Sequence, residues 1–531
     1  MNRASTTVPS RQPISLAGTV GVDARWLVSS AVMLAAFMEV LDTTVVNVSL
    51  THIAGSLSAT PNEATWALTS YLVANGIVIP ISGWLASRFG RKNVLLVSTA
   101  GFTVASLLCG IAPSLGLLVI FRIIQGACGG SLQPLSQAVM LETFPQEQHG
   151  KAMAIFGMVV IVAPVMGPVL GGWLTDNFTW RWVFYINLPT GLLCILLLKM
   201  FLHDPPYLRR SSSKVDSWGL ATLVIWVAAL QIVLDKGQEE DWFGSRFIVV
   251  LAVAFAVGVA AWIIRELRAE DPAADLRAFG QRTFAGGTLG MATIGFVMYG
   301  SQVTISIWLQ TLLGYPSMQA GVAMVAIGLG SVISMPVASV LVARFDPRQV
   351  FAAGVVGFVL SFYRLMGFNL LIGFWDIFWP QFLQGLAMGL MAVPLMVITM
   401  AYIPKEKMGN ATGLFNMMRN IGGGVGISLV STTLTRIGQQ QTNILVANVT
   451  PTSLLAQRFM GMGKGLFAAS GPGLADQQAY ATVFGMVQQQ ATMVALVRVF
   501  QYLGLLALIM IPLIAVTKRP PQGQPVQPMA H

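Results

Sequence analysis

The chain has 531 residues, of which 55% are hydrophobic and only 10% are charged. Soluble domains carry about 25% charged residues, so this composition excludes a soluble protein and requires most of the surface to face lipid. The formal net charge of +10 does not indicate nucleic-acid binding, because the basic residues are dispersed among short loops and form no continuous stripe.

Apolar stretches long enough to cross a membrane recur along the whole chain. A helix needs about 20 mostly apolar residues to span the hydrocarbon. The first 25 residues are polar and the next apolar stretch is too long for a signal-peptide core, so we expect it to remain as the first span. The sequence predicts about fourteen spans, at residues 26–50, 64–87, 93–112, 115–140, 151–175, 182–202, 216–235, 246–266, 284–313, 318–343, 349–372, 376–402, 409–436 and 492–516.

The charges of the loops predict the orientation. With a cytoplasmic amino terminus, roughly 21 Lys and Arg residues fall on the cytoplasmic side, roughly 6 outside and roughly 4 within spans, which is the bias of the positive-inside rule. Both ends are basic, so both termini are expected in the cytoplasm and the number of spans is even. The basic residues at the ends are Arg3, Arg11, Arg25, Lys518 and Arg519.

The chain also repeats itself in three places, which occur in the same order in both halves. Three echoes in order predict two homologous halves, as in transporters built from parallel repeats. The echoed pairs are the segment Ser82–Val94 with Ala338–Val350, then Gln125, Gly126 and Gly130 with Gln384, Gly385 and Gly389, and then Phe156 and Gly167 with Phe415 and Gly426.

The predicted fold is therefore an all-α integral membrane protein of two six-helix bundles with two additional central spans. The predicted parts are a cytoplasmic tail at 1–25, a first bundle at 26–202, a linker with spans 7 and 8 at 203–283, a second bundle at 284–516 and a cytoplasmic tail at 517–531. Residues 437–490 are biased towards Gln and Gly and are predicted to form one long external loop in the second bundle.

Ionisable groups inside spans are costly and mark functional sites by default. Glu39 and Asp42 are three residues apart in span 1, so both face one side of the helix. Asp42 lies roughly 12 Å from the external end of span 1, and Arg122 roughly 10 Å from that of span 4. We predict a buried Asp42–Arg122 pair that would open when Asp42 is protonated, as a proton switch requires. A permanent structural ion pair is the alternative.

Glu39 lies closer to the membrane midplane, with no partner evident in the sequence. It could bind cationic substrates, share protons with Asp42 or hydrogen-bond a neighbour, and the sequence does not choose among these roles. The position that echoes Arg122 in the second half is Gln381, which is neutral. Proton coupling is therefore assigned to the first half, at Asp42, Glu39 and Arg122.

Candidates for a substrate cavity between the halves are polar or flexible side chains inside the spans. Methionine side chains adapt to varied shapes, and Met291, Met298, Met391 and Met396 could form such walls, with plain packing as the alternative. Arg364 and Arg419 either line the cavity or bond to backbone. The predicted cavity residues are Glu39, Gln125, Gln310, Gln381, Gln384, Arg364, Arg419, Met298 and Met391.

Other function classes lack their motifs. The chain has no GxxxxGK[ST] phosphate loop, no Ser/His/Asp constellation and no metal-ligand spacing, and its three cysteines fall inside apolar runs. We therefore expect no enzyme activity, no metal and no cofactor, with the proton as the coupling ion. A non-transporting scaffold is a further alternative, and it predicts that Asp42 and Arg122 can be replaced without loss of phenotype.

Several motifs carry a family resemblance. The segment Gly83–Lys92 resembles the loop motif between spans 2 and 3 of major facilitators, Arg122–Gly130 resembles their span 4 motif, and Ala163–Gly172 resembles the antiporter motif of exporters. The segments Leu41–Leu50 and Trp180–Gly191 are similar to signatures of the fourteen-span drug:proton antiporters of the EmrB/QacA type.

The resemblance covers nearly the whole chain and assigns gating roles to ten residues. They are Gly83, Arg88, Gly90, Arg91, Lys92, Pro164, Gly167, Pro168, Gly171 and Gly172. One departure is Ser87, where the family's loop motif usually has the Asp that anchors the loop against the start of another helix.

The resemblance implies a proton-coupled multidrug exporter of hydrophobic toxic compounds in the inner membrane. EmrB-like pumps work with a periplasmic adaptor (EmrA-like) and an outer-membrane channel (TolC-like), so both partners are expected beside membrane lipid and hydrophobic small molecules. The alternative is export of one specific metabolite or lipid-like compound, which a panel of toxic compounds would separate from multidrug export.

Overall fold

The computed structural model describes residues 22–204, 216–269, 272–447, 449–450, 453–467, 472–515 and 517. Within these ranges the secondary structure is helical, and the long helices are numbered α1 to α14 in chain order. They are α1, Val22–Val48; α2, Trp66–Phe89; α3, Arg91–Gly110; α4, Leu115–Thr143; α5, His149–Asn177; α6, Trp182–Phe201; α7, Ser217–Lys236; α8, Arg246–Arg268; α9, Arg282–Leu312; α10, Ser317–Arg344; α11, Pro347–Leu365; α12, Phe374–Met400; α13, Met408–Ala447; and α14, Pro472–Leu508. The predicted terminal tails and the linker segment 205–215 lie mostly outside the described residues.

Twelve helices of the described chain are long and apolar enough to cross a membrane, and each coincides with a predicted span. The other two predicted spans, 349–372 and 409–436, correspond to α11 and α13, which do not belong to that apolar set. One face of α13 is buried against α9 and α2. Because lipid touches only part of such a helix, its composition can be more polar than that of a peripheral span.

The two bundles have the same internal packing, which confirms the predicted fold. In the first bundle α2 packs on α4, α1 on α5, α3 on α4 and α3 on α6; in the second α10 packs on α12, α9 on α13, α11 on α12 and α11 on α14. Between the bundles, α5 packs on α10 and on α12, and α13 packs on α2 and on α4.

The echoed glycines occupy matching contacts in the two bundles. A Cβ at Gly126 would meet the backbone of Tyr71 in α2, and one at Gly385 would meet the backbone of Ile327 in α10. Because only glycine lets the backbones approach this closely, the echo reflects the same helix crossing built twice.

The inserted pair α7 and α8 lies against the seam between the bundles. Helix α7 contacts α2 and α13, which belong to different bundles, while α8 packs mainly on α7. A Cβ built at Gly76 of α2 would lie 3.4 Å from Val227 of α7, and one at Gly424 of α13 would lie 3.3 Å from Leu234 of α7. The inserted pair therefore bridges the two halves along one side.

An ion pair fixes one end of this inserted pair. Asp216, just before α7, accepts a hydrogen bond from Arg265 of α8 with an Nε–Oδ2 distance of 2.9 Å. Burial raises the pKa of the Asp216 carboxyl, but hydrogen bonds from Arg265 and from the backbone N–H of Gly219, together with the charge of Arg265, outweigh burial and lower it.

The prediction that residues 437–490 form a loop is wrong, because the described residues of this segment are mostly helical. Helix α13 continues to Ala447, α14 begins at Pro472, and a short helix, Leu454–Leu466, packs on α14. Gln and Ala are good helix formers, and hydropathy detects only apolar helices, so helices rich in polar residues are missed by it. We call the described helical residues of this segment, 437–447, 454–466 and 472–490, the helical projection.

Candidate functional site

Asp42 is the centre of a buried polar network in the first bundle. Its Oδ2 accepts a hydrogen bond from Arg122 Nη1 at 2.6 Å. Its Oδ1 accepts from Gln125 Nε2 at 2.9 Å and from Asn187 Nδ2 at 2.8 Å. The predicted Asp42–Arg122 pair is therefore present, and both side chains are fully buried. Helices α1, α4 and α6 each supply part of the network.

Arg122 is held in place from several sides. Its Nε donates to the carbonyl oxygen of Ala67 in α2 at 2.9 Å, and its Nη1 also donates to Gln125 Oε1 at 2.8 Å. The guanidinium lies 4.1 Å from the centroid of the Tyr71 ring, within cation–π range. The arginine therefore has support that does not depend on Asp42, and it can stay ordered when the carboxylate changes state.

The network would rearrange if Asp42 took up a proton. As an anion, Asp42 accepts hydrogen bonds from three donors on α4 and α6. A proton on either carboxyl oxygen removes the charge and replaces an acceptor with a donor. At least one contact to Arg122, Gln125 or Asn187 must then weaken, so protonation alters how α1 is joined to α4 and α6.

Glu39 has a partner that is not evident in the sequence. Asn75 Nδ2 of α2 donates to Glu39 Oε1 at 2.9 Å, and the Glu39 side chain is buried. Of the three open roles, the structure provides directly for a hydrogen bond to a neighbour. Glu39 lies outside the lining of the central cavity, although the adjacent Val40 is part of it.

A cavity lies between the two bundles, with walls from α1, α4 and α5 of the first and α9, α10, α12 and α13 of the second. Its volume is about 110 Å³. Methionine side chains supply much of the wall, namely Met153, Met291, Met298, Met335, Met388 and Met396. Of the predicted cavity residues, Met298 and Arg419 line it.

The other predicted cavity residues lie elsewhere in the described structure. Gln125 belongs to the Asp42 network, Gln384 donates to Ser301 within the second bundle at 3.0 Å, and Gln381 is buried in that bundle. These amides face the interior of one bundle rather than the space between the two bundles.

Three further candidates also lie away from the cavity. Met391 packs on Gly354, where a Cβ would lie 2.7 Å from Met391 Cγ. Arg364 is exposed on the peripheral helix α11, and Gln310 is exposed near the end of α9, where it donates to Ser306. Sequence position alone does not reveal the direction in which these side chains project.

Polar side chains join the two bundles beside the cavity. Arg419 Nη2 of α13 donates to Gln133 Oε1 of α4 at 2.6 Å, and Asn416 Nδ2 of α13 donates to Gln137 Oε1 of α4 at 2.5 Å. Gln137 also donates to the sulfur of Met396 at 3.3 Å. These bonds can break when the bundles move apart.

The loop motif places Gly83 at a second contact between the bundles. A Cβ built there would lie 2.5 Å from the backbone of Gly409 and 2.7 Å from Asn410 Cα, at the start of α13. Ser87 hydrogen-bonds its own helix at the Trp84 carbonyl, at 2.8 Å. The close contact with α13 is therefore made at Gly83, four residues before the position where the family usually has an acid.

The remaining loop-motif residues bind within the first bundle. Arg91 forms a buried ion pair with Glu142, and the backbone N–H of Lys92 donates to Asp204 Oδ1 at 2.8 Å. Gly90 has a φ of +88°, which disfavours a side chain. The guanidinium of Arg88 lies 5.7 Å from the Trp84 ring centroid.

The antiporter motif in α5 touches both bundles. A Cβ at Gly167 would lie 2.6 Å from Thr44 Cβ, and one at Gly171 would lie 2.8 Å from the Val45 carbonyl oxygen, both in α1. On another face, Pro164 lines the cavity and Pro168 packs on Gly321 of α10. Gly172 has open space around it, because no atom of the described residues would contact a Cβ built there within 4 Å.

Sequence reasoning missed several polar residues of the site, and all of them are neutral amides. Asn187 and Asn75 bind the acidic residues of α1, while Gln133, Gln137 and Asn416 join the bundles. Polar amides inside apolar spans were the available signal, since they tend to hydrogen-bond across helices. Among the described residues no group of three His, Cys, Asp or Glu side chains could hold a metal ion.

Comparison with known proteins agrees with this architecture. The family model of the Major Facilitator Superfamily matches residues 32–427. The multidrug export protein EmrB of Haemophilus influenzae is 42% identical over 410 residues, which cover 76% of this chain and 79% of the relative. The EmrB of Escherichia coli K12 is 35% identical over 495 residues, which cover 93% of this chain and 95% of the relative.

A solved structure has the same fold. The proton:xylose symporter XylE of the major facilitator superfamily superimposes with a TM-score of 0.55 at 14% identity, over 88% of this chain and 94% of XylE. With the family match over most of the chain, the chain therefore belongs to the Major Facilitator Superfamily of membrane transporters and, within it, is similar to EmrB-type export proteins.

Proposed function

We propose that this protein is a proton-coupled multidrug efflux transporter that exchanges protons for hydrophobic toxic compounds. The observation that carries the proposal is the buried Asp42–Arg122 pair, with its 2.6 Å contact inside a membrane helix bundle. An ionisable group inside a membrane span costs free energy, and such groups mark functional sites by default. The similarity to two relatives named multidrug export proteins supports drug export.

The path from the proton to the bundle interface is short. Asp42 lies two residues before Thr44, which packs directly on Gly167 of α5. Helix α5 in turn packs on α10 of the second bundle. A shift of α1 on protonation would therefore move α5, which packs between the two bundles. Alternating access requires such a movement of one bundle against the other.

Substrate would bind in the cavity between the bundles, where the methionine walls can adapt to varied shapes. The cavity volume of about 110 Å³ is below the roughly 300–1,000 Å³ typical of ligand pockets. The bundles must therefore move apart to admit a drug-sized compound. One proton moving down about 100 mV supplies about 2.3 kcal/mol towards this cycle.

We further propose that the pump lies in the inner membrane with both termini in the cytoplasm. It would deliver substrate to a periplasmic adaptor (EmrA-like) and an outer-membrane channel (TolC-like). The helical projection supports a docking role, because α13 with 40 residues and α14 with 37 residues exceed the about 20 residues that a membrane span needs.

An efflux panel tests the function. Cells with and without the protein are loaded with unrelated hydrophobic dyes and antibiotics, and efflux is followed with the proton gradient intact or collapsed by an ionophore. We expect several unrelated compounds to leave faster with the protein, and only while the gradient persists. Export of one compound alone would contradict multidrug function, and export without a gradient would contradict proton coupling.

A further inference from the structure

The cavity between the bundles contains a positive charge and, among its lining residues in the described chain, no carboxylate. The charge is that of Arg419, and the other polar lining residues are Gln133, Gln137, Tyr299, Gln302 and Ser331. A cationic compound entering this space would meet a fixed positive charge in a low-dielectric wall. An anionic compound would be attracted instead.

Two donors at this site have no acceptor. Arg419 Nε and Gln133 Nε2 are both buried and have no hydrogen-bond partner among the described residues, and the Gln133 residue is only 4% exposed. An unsatisfied buried donor costs about 1–3 kcal/mol, and an arginine inside a membrane protein ordinarily faces a counter-charge or a water-filled cavity. The two donors belong to side chains already in contact, since Arg419 Nη2 donates to Gln133 Oε1 at 2.6 Å.

The acid that interacts with Arg419 is otherwise engaged. Glu39 interacts electrostatically with Arg419. However, the Glu39 carboxylate accepts a hydrogen bond from Asn75 at 2.9 Å, and Glu39 lies outside the cavity lining. The hydrogen bonds of the Arg419 guanidinium go to the amide oxygens of Gln133 and Asn420. The guanidinium is therefore hydrogen-bonded to neutral groups.

We propose, building on the export function proposed above, that Arg419 and Gln133 form a head-group site for amphiphilic anions. A carboxylate or sulfonate would accept hydrogen bonds from the guanidinium and from the Gln133 amide, in the charge-assisted geometry that arginine favours. The apolar tail would lie along the methionine wall of the same cavity.

Anion binding at this site would also affect how the bundles are joined. An oxyanion that reaches Nη2 as well as the unpaired Nε of Arg419 would compete with Gln133 Oε1, whose bond to Nη2 joins α13 to α4 across the interface. Substrate occupancy would therefore weaken a contact that holds the bundles together, so binding and opening are linked through the same side chain.

Matched ligands test the proposal. The full-length protein in lipid nanodiscs is titrated with radiolabelled decanesulfonate and, separately, with decyltrimethylammonium, which carries a similar tail and the opposite charge. The sulfonate stays ionised at every assay pH, so a neutral form does not complicate binding. We expect decanesulfonate to bind at least tenfold more tightly than decyltrimethylammonium.

Variants assign the effect to the site. Arg419→Gln should weaken decanesulfonate binding at least tenfold, Arg419→Lys should retain part of it, and Gln133→Leu should weaken it several-fold. Arg364→Gln removes an exposed arginine outside the cavity from the same bundle and should leave binding unchanged. If Arg419→Gln does not fold, the Gln133→Leu result decides the question.

Equal binding of both ligands to the wild type, or unchanged sulfonate binding in the Arg419 and Gln133 variants, would overturn the head-group site. Such a result leaves the proposed export function standing if the efflux panel still succeeds. A failed panel together with selective, Arg419-dependent sulfonate binding would instead overturn the export function and keep the anion site.

Discussion

Gly167 of α5 lies directly against Thr44 of α1, so closely that a Cβ at position 167 would come within 2.6 Å of Thr44 Cβ. Thr44 is two residues from Asp42, the centre of the buried network. The helix that holds the carboxylate is thus in backbone-close contact with the helix that packs on the second bundle. This contact is a direct mechanical route from the proposed proton site to the interface.

Replacement of Gly167 by valine should therefore disrupt this route. Overpacking of a tight contact costs about 1–3 kcal/mol, and we expect Gly167→Val to reduce efflux at least tenfold while the protein still reaches the membrane. Gly172→Val is the matched control in the same helix, because in the described part of the chain no atom would contact a Cβ there within 4 Å. Equal efflux rates in the two variants would contradict the role of the contact.

A side chain at position 83 should separate the two bundles at the start of α13. In Gly83→Ala the new methyl group would meet the backbone of Gly409 at 2.5 Å, which forces the helices apart. With the native cysteines replaced, a cysteine introduced at Met153 in the cavity wall should then react several-fold faster with a maleimide. Gly150→Ala, with an ordinary 3.5 Å contact to Ser339, should leave the labelling rate unchanged. Equal labelling rates in both variants would contradict the role of Gly83 in holding the bundles together.

The Arg91–Glu142 pair should behave as a buried ion pair. Removing one partner leaves the other charge buried alone and typically costs about 3–5 kcal/mol, so Arg91→Met and Glu142→Leu should each lower the Tm of the purified protein. Apolar replacement of both partners is often neutral, and the double variant should regain most of the loss. A double variant with the summed losses of the single ones would argue against direct pairing.

Stability should depend on pH through Asp216. Folding lowers the pKa of this carboxyl, so its stabilising effect is complete above its unfolded pKa and is lost as the pH falls through the lower, folded value. Asp216→Asn should therefore lower the Tm near neutral pH, and the difference from wild type should stay constant down to about pH 5 and shrink as the pH falls further, through about pH 3. Arg265→Met should reproduce this trend, and a difference that is constant over the range would contradict it.

The sequence predicts the charged part of the site because charge inside a span is rare and depth can be counted along a helix. Asp42 and Arg122 match in depth for this reason. The sequence does not predict Asn187 or Gln133, because a single amide in an apolar span looks the same in the sequence whether it only packs against neighbours or hydrogen-bonds another helix. Their partners are set by which helices adjoin, and that arrangement is not local in sequence.

The span pattern and the two halves follow from hydropathy and repeats, while the helical projection does not. Helix α13 continues eleven residues beyond the predicted end at 436, to Ala447, because a helix can continue through polar residues that hydropathy does not count. Likewise Arg364 and Arg419 have the same residue type, yet only Arg419 lines the cavity. The difference lies in helix rotation, which packing decides.

The central claim is that Asp42 carries the coupled proton. The most direct measurement is proton release, read with a pH-sensitive dye, when the best compound of the efflux panel is added to purified protein in weakly buffered solution. Wild type, and Asp376→Asn at an exposed carboxylate of α12, should release protons on binding, whereas Asp42→Asn should bind the compound without release. Proton release from Asp42→Asn equal to that of wild type would contradict the account and leave the Asp42–Arg122 pair as a structural ion pair.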